Sequence, residues 1–512
     1  MEQEENKMEN REAAYLKLQN GSDVRGVALE GVEGEAVNLT PEIVRNIAAA
    51  FADFLAERKG MSYEKIKIGV GHDSRLSAEA LKSAVVRGIM DRGCSAYDCG
   101  LTSTPSMFMS TVFPEFAYTG AVMITASHLP FNRNGLKFFT REGGLESREI
   151  KEVLQKAAAL SESEDKRGDR EAQKADLVGA YSAHMEKLIK EEVNAGDYDH
   201  PLEGLHIVVD ASNGVGGYFT KVLEHLGAST QGSICLEPDG TFPNHVPNPE
   251  NKQAMAAIRE AVLGAEADLG IIFDTDGDRA AVVFADGEEV NQNAIIALMA
   301  AILSEKYPNT TVVTDSVTSS HLTEFLEGKL QMKHHRFKRG YKNVINEAIR
   351  LNKEGEETHL AIETSGHGAV KENYFLDDGA YMSLKIICKL ATCRQEGKRI
   401  EELISDLKKP AESAECRLKI MTDDFKEYGN QVLEDFRKFA EKEESFHVAE
   451  KNYEGVRINF DDEEVQGWML MRMSLHDPII PMNFEAEKEG GIEIIKSRIQ
   501  PFLAQFELLV TP

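Results

Sequence analysis

Ser127, in the run Thr125-Ala126-Ser127-His128-Leu129-Pro130, and the acidic run Asp274-Thr275-Asp276-Gly277-Asp278-Arg279 are the segments whose residue types could do chemistry. Three carboxylates at alternate positions repel one another unless a hard cation sits between them, and oxygen ligands of this kind suit Mg²⁺. A serine bearing a phosphate would complete that coordination sphere. The two segments together suggest phosphoryl transfer through a phosphoserine and a magnesium ion.

Each segment also has a plainer reading. Gly120 to Thr125 reads as a strand and Pro130 stops the next turn from continuing as helix, so Ser127 is expected on a constrained turn with its hydroxyl exposed. A turn serine can simply hydrogen-bond its own backbone, and His128 can be a packing residue. The acidic run lies between two buried strand patterns, Leu269–Phe273 and Ala280–Phe284. A calcium loop starting at Asp274 would need Glu at its twelfth position, where this chain has Ala285. Three aspartates between apolar strands are costly as decoration, which favours a metal.

The elements that must position these residues follow one pattern. Ile66–Val70 leads into Gly71-His72-Asp73-Ser74-Arg75, His206–Val209 into Asp210-Ala211-Ser212-Asn213-Gly214, and Thr311–Val313 into Thr314-Asp315-Ser316. A short apolar run, a polar turn and a helical stretch form the unit of α/β sheets. Three copies suggest three similar α/β domains. Residues 161–176 are charged and poor in large apolar residues, as in an exposed connector, and Leu177 to Glu191 reads as a helix. A polar stretch from Lys408 to Cys416 precedes a differently patterned end, expected as a smaller α+β domain.

At 512 residues the chain exceeds what one core supports. Its net charge of −28 argues against nucleic acid and anionic membrane as partners, since both need a basic surface. No apolar stretch approaches the ~18–20 residues of a membrane span. The acidic start, Met1-Glu2-Gln3-Glu4-Glu5, does not resemble a signal peptide, so a cytoplasmic location is expected. The six cysteines include the pairs Cys94/Cys99 and Cys388/Cys393, but neither has zinc-like partners, and reduced thiols are expected.

The serine and acidic loops resemble those of the α-D-phosphohexomutase family, the phosphoglucomutases and phosphomannomutases. Glu363-Thr364-Ser365-Gly366-His367 resembles the family's sugar-binding loop, and Arg472-Met473-Ser474-Leu475-His476-Asp477-Pro478 its phosphate-binding loop. The order holds from Asp23-Val24-Arg25-Gly26 to Pro478. The resemblance implies an α/β fold of four domains around a central cleft, each supplying one loop: three similar mixed-sheet α/β domains and a smaller C-terminal α+β domain. The expected bounds are residues 1–176 with the phosphoserine loop, 177–300 with the metal loop, 301–410 with the sugar loop and 411–512 with the phosphate loop.

The resemblance further implies a mutase that moves phosphate between C1 and C6 of mannose or glucose. It would use phosphorylated Ser127 and a hexose 1,6-bisphosphate intermediate, which also serves as activator. Asp274, Asp276, Asp278 and the phosphoserine would hold Mg²⁺. Arg279 would neutralise phosphate charge, Lys137 in Asn134-Gly135-Leu136-Lys137 would help move the hydroxyl proton, and His128, Arg25 and Arg75 would line the serine loop. Glu363 and Ser365 would grip sugar hydroxyls, with Gly340 and His367 facing the substrate; His367 can also be structural. Arg472 and Ser474 would bind the non-transferred phosphate, helped by His476. Here the chain departs from the family's Arg-x-Ser-Gly-Thr-Glu: Leu475 replaces a glycine, and His476 and Asp477 replace Thr and Glu. Phosphoglucosamine or acetylglucosamine-phosphate mutase is the neighbouring alternative, and a catalytically silent sugar-phosphate binder the alternative of another class. The expected assembly is a monomer or homodimer.

Overall fold

The computed structural model describes residues 2–160, 171–474 and 477–510; most of the expected connector at 161–176 lies outside the described residues. The chain divides into two compact units: Met1–Asn291 with Ser365–Gly368 and Leu376–Ile400, and Gln292–Thr364 with Ala369–Phe375 and Glu401–Pro512.

The first unit contains an eight-stranded and a four-stranded sheet. In the larger, Lys67–His72 runs parallel to Ser95–Leu101 on one side and Gly120–Ile124 on the other. Every residue of Gly120–Ile124 is buried, which is why it reads as a continuous apolar run rather than an alternating one. Arg133–Thr140 turns back antiparallel against it and pairs in turn with Asp23–Val27, so the sheet is mixed. Helix Pro41–Lys59 covers this sheet. Thr40 caps its start through the Ile43 amide, Pro41 opens it, and Gly60 ends it in the left-handed region at φ 61°.

In the smaller sheet Leu269–Phe273 pairs parallel with Ile207–Asp210 and antiparallel with Ala280–Phe284. The acidic run is therefore the connection of an antiparallel pair, as its flanking patterns predict. Helix Leu177–Val193 extends two residues beyond its expected end and buries Leu177, Tyr181, Met185, Ile189 and Val193, a stripe with a spacing of four.

In the second unit Thr311–Thr314 lies parallel to Lys333–Arg336 and Thr358–Ile362. A six-stranded sheet follows, in which Val456–Asp461, Gln466–Met471, Ile479–Ala486 and Glu412–Ile420 are successive antiparallel neighbours. One expectation changes here. The polar stretch ending at Cys416 already contains the start of a nine-residue strand at Glu412. That strand pairs along most of its length with Ile479–Ala486 alone, because Leu509–Val510 reaches only Lys419 and Ile420. Its burial alternates, and few apolar residues are needed there, so composition alone reads it as a linker.

The fold class is as expected: three α/β domains built on sheets, and a fourth sheet-rich C-terminal domain. No helix among the described residues is long and apolar enough to cross a membrane. Cys94, Cys99, Cys388 and Cys393 are buried thiols outside any disulfide, while Cys235 and Cys416 are partly accessible.

Candidate active site

Ser127 follows the buried strand Gly120–Ile124 and adopts φ 49°, in the left-handed region that costs a non-glycine residue roughly 1–3 kcal/mol. Two devices hold it there. Its N–H donates to Thr125 Oγ1 at 2.9 Å. Arg75 donates to the carbonyls of Ser127, Leu129 (2.6 Å), Pro130 (2.8 Å) and Arg133 (3.0 Å). Arg75, expected to line the loop, is fully enclosed and spends its terminal nitrogens on these carbonyls, which is the placement of a loop clamp. Arg25 pairs with Asp23 at 2.9 Å. The Ser127 hydroxyl, expected to be exposed, is buried because it meets the acidic loop: Oγ donates to Asp274 Oδ2 at 2.9 Å and accepts from Arg279 Nη2 at 2.9 Å.

Asp274, Asp276 and Asp278 are fully buried. Gly277, at φ 72°, donates its N–H to Asp274 Oδ1 at 3.0 Å and allows the tight loop. The carboxylate atoms lie within 4.8 Å of one another. Asp276 Oδ1 and Asp278 Oδ1 are buried with no hydrogen-bond partner. Burial and then the neighbouring charges of Asp278 and Asp276 push the Asp274 carboxyl well above its usual range. Burial acts the same way on Asp278, but Lys137, then His367 and Arg279, outweigh it and hold that carboxyl low. Unpartnered oxygens converging among like charges suit a hard divalent cation such as Mg²⁺.

Cations close the cluster. Arg279 Nε donates to Asp274 Oδ2 at 3.1 Å, and Nη2 also meets His128 Nδ1 at 2.6 Å. The Arg279 guanidinium, then burial, push His128 down to about 2, so this ring is neutral and faces the guanidinium as an acceptor. Lys137 Nζ donates to Asp278 Oδ2 at 2.6 Å and lies 3.7 Å from Asp276. Thr104 donates its hydroxyl to Asp276 Oδ2 at 2.5 Å and its N–H to the Asp276 carbonyl at 2.8 Å.

Ser365–Gly368 belongs to the same unit. His367 forms a backbone bridge with Arg279, and Gly366 at φ 90° packs so close to the Ala280 carbonyl that a Cβ would lie 2.9 Å from it. His367 Nδ1 lies 2.5 Å from Asp377 Oδ2 and 3.8 Å from Asp278. Burial alone would lower its pKa, but Asp377 and Asp278 raise it.

In the second unit, Glu363 Oε1 accepts from the Gly340 N–H at 2.6 Å. Arg472 is buried, its Nη1 donating to the Met473 carbonyl at 3.3 Å, with Nε unpartnered. Ser474 Oγ accepts from the Asp477 N–H at 3.2 Å. His476 and Leu475 lie outside the described residues. Sequence reasoning missed Thr104, Asp377 and Asn248, whose Oδ1 accepts from Arg279 Nη1 at 3.3 Å although the two residues are far apart in sequence. A run of capping residues, Thr102-Ser103-Thr104-Pro105, marks a helix start but gives no sign of its acidic partner.

Family models described as phosphoglucomutase/phosphomannomutase, alpha/beta/alpha domains I, II and III match residues 17–164, 180–287 and 291–410 in that order. A phosphoglucomutase of Neisseria gonorrhoeae is 29% identical over 96% of this chain and 97% of its own length. A phosphomannomutase/phosphoglucomutase of Pseudomonas aeruginosa is 27% identical over 84% of this chain and 86% of its own. In structure, a phosphoglucomutase/phosphomannomutase family protein from Burkholderia thailandensis superposes with a TM-score of 0.76 at 23% identity, covering 95% of this chain and 97% of its own.

Proposed function

The chain belongs to the α-D-phosphohexomutase family, and from that premise we propose that it interconverts hexose 1-phosphate and hexose 6-phosphate, of mannose or glucose, with Ser127 as phosphate carrier. The observation that carries this reading is the Ser127 hydroxyl, held at 2.9 Å from both Asp274 and Arg279 on a strained turn. A hydroxyl that only capped its own turn would not be enclosed by a carboxylate and a guanidinium from a loop far along the chain.

Asp274, Asp276 and Asp278 would hold Mg²⁺ together with an oxygen of phosphorylated Ser127; the bound ion supplies charge neutralisation at the transferring group. The residues do the rest. Arg279 Nη2 keeps its donor on the Ser127 oxygen as the bond from that oxygen to phosphorus breaks and one to a sugar hydroxyl forms. Lys137 and His367, both beside Asp278, would help move the proton that this hydroxyl releases, and each can accept it only from its neutral form. The hexose 1,6-bisphosphate formed in this way then returns its other phosphate to Ser127. A bisphosphate from solution would serve as the activator that loads the serine. Glu363 and Ser365 bind the sugar hydroxyls, with Gly340 beside Glu363, and Arg472 and Ser474 bind the phosphate that is not transferred.

Ser127→Ala tests this directly. The unmodified protein incubated with glucose 1,6-bisphosphate should gain the mass of one phosphate, and the variant none. The variant should lose turnover of mannose 1-phosphate and glucose 1-phosphate while still binding both. Turnover at the unmodified rate in the variant would sink the phosphoserine reading, and a strong preference for glucosamine 1-phosphate would move the substrate to the amino sugars.

A further inference from the structure

Arg279 is held on two sides by groups of the proposed reaction, Ser127 and Asp274. Nη2 also meets His128 Nδ1 at 2.6 Å, and the other terminal nitrogen, Nη1, donates to Asn248 Oδ1 at 3.3 Å. Asn248 lies in a segment without helix or strand, which runs from the end of the bridge at Ile234 to Asn251, the cap of helix Lys252–Ala265. An irregular segment, without a strand ladder or helix, keeps a fixed shape through individual hydrogen bonds of its backbone and side chains.

The anchors here converge on one turn. Asp239 donates its N–H to the Asn213 carbonyl at 2.8 Å, Asn213 Nδ2 donates to the Glu237 carbonyl at 2.9 Å, and Asn244 Nδ2 donates to Asn213 Oδ1 at 2.8 Å. At the centre His245 Nε2 meets Asp210 Oδ2 at 2.8 Å, and Nδ1 meets the Val246 carbonyl at 3.1 Å. Both are buried. Two ring nitrogens facing oxygens fit an imidazolium. Burial would lower its pKa, but Asp210 and Cys235 raise it to about 10.

The same turn braces the metal loop. Asp210 Oδ1 accepts the Ser212 N–H at 2.8 Å, and Ser212 Oγ donates to the carbonyl of Phe273, the residue before Asp274. Cys235 Sγ also lies 3.8 Å from His245 Nε2. His245 and Asp210 form a direct hydrogen-bonded pair.

Resting on the phosphoserine reading above, we propose that Asn248 is a positioning residue for Arg279, fixed by the Asp210–His245 pair, and that its amide oxygen keeps the guanidinium turned toward the Ser127 oxygen. Glu250 N–H donates to the same Oδ1 at 3.0 Å and orients it.

The test is a set of variants assayed with glucose 1-phosphate in saturating Mg²⁺. Asn248→Ala should lower kcat by about tenfold or more with KM little changed, since small misplacements of a charged group cost this much. Asn248→Asp keeps the acceptor oxygen and should restore most of the rate. In an Arg279→Ala background, Asn248→Ala should change nothing further. His245→Gln should reproduce the loss, and adding Asn248→Ala to it should cost little more. Unaltered kcat in Asn248→Ala, or an equal loss in the Arg279→Ala background, would overturn the proposal. Ser127→Ala run in parallel separates the two ideas: a dead Ser127→Ala beside a fully active Asn248→Ala removes this inference alone. If His245→Gln does not fold, the Asn248 and Arg279 variants still decide.

Discussion

A buried lysine beside a metal loop has two opposed effects on it. Lys137 neutralises Asp278 at 2.6 Å and so lowers the repulsion among the aspartates when no cation is bound. By the same contact it competes with a cation for that carboxylate. Lys137→Met is therefore expected to tighten Mg²⁺ binding by roughly tenfold, about 1.4 kcal/mol, while lowering kcat by about 10²-fold or more. Isothermal titration with Mg²⁺ and steady-state rates check the two arms, and weaker Mg²⁺ binding would show that Lys137 supports the site instead. At this scale the sequence was highly legible. Ser127 and the three aspartates stand out because their types and spacing are costly without a purpose. Arg75 was less legible: a cation beside a turn looks the same whether it faces an anion or, as here, four carbonyls of the chain.

Among elements, the loops are held by segments remote in the chain. The strands bounding the acidic loop could be read to the residue, because two apolar runs of five flank it. Asn248 and Asp377 could not, because their partners are fixed by how the turns stack and no local pattern encodes that. The His245–Asp210 pair has a measurable thermodynamic trace. His245 is raised from 6.5 to about 10 on folding, so its contribution to stability is complete below the unfolded pKa near 6.5. Above that pH the folded state holds a proton that the unfolded state has released, and the contribution is lost as pH rises toward about 10. The stability difference between the unmodified protein and His245→Gln, measured by urea unfolding, should shrink steadily from pH 7 to pH 10. A difference that stays constant over that range would mean the ring is neutral in the folded protein.

Across the whole molecule, four sheets were foreseeable from recurring strand–turn–helix patterns and a patterned final segment. The start of the last sheet at Glu412 was not, since a strand paired mainly on one side needs little apolar content. That strand has a consequence for how copies of the protein behave toward one another. Its outward positions carry Ser413, Glu415, Arg417 and Lys419, and among the described residues no strand pairs with its far side before Lys419. An open row of amides and carbonyls invites a second copy to add its own strand, and ion-bearing side chains along the row make that addition unfavourable. Replacing Glu415 and Arg417 together by valine should turn the protein into one that self-associates with rising concentration, seen as earlier elution in gel filtration, while activity per chain at high dilution is preserved. Unchanged elution at all concentrations would show that something other than charge guards this edge. The charges that made the segment look like a linker thus have a second reading, as the means by which a β-rich end remains dispersed in a crowded solution.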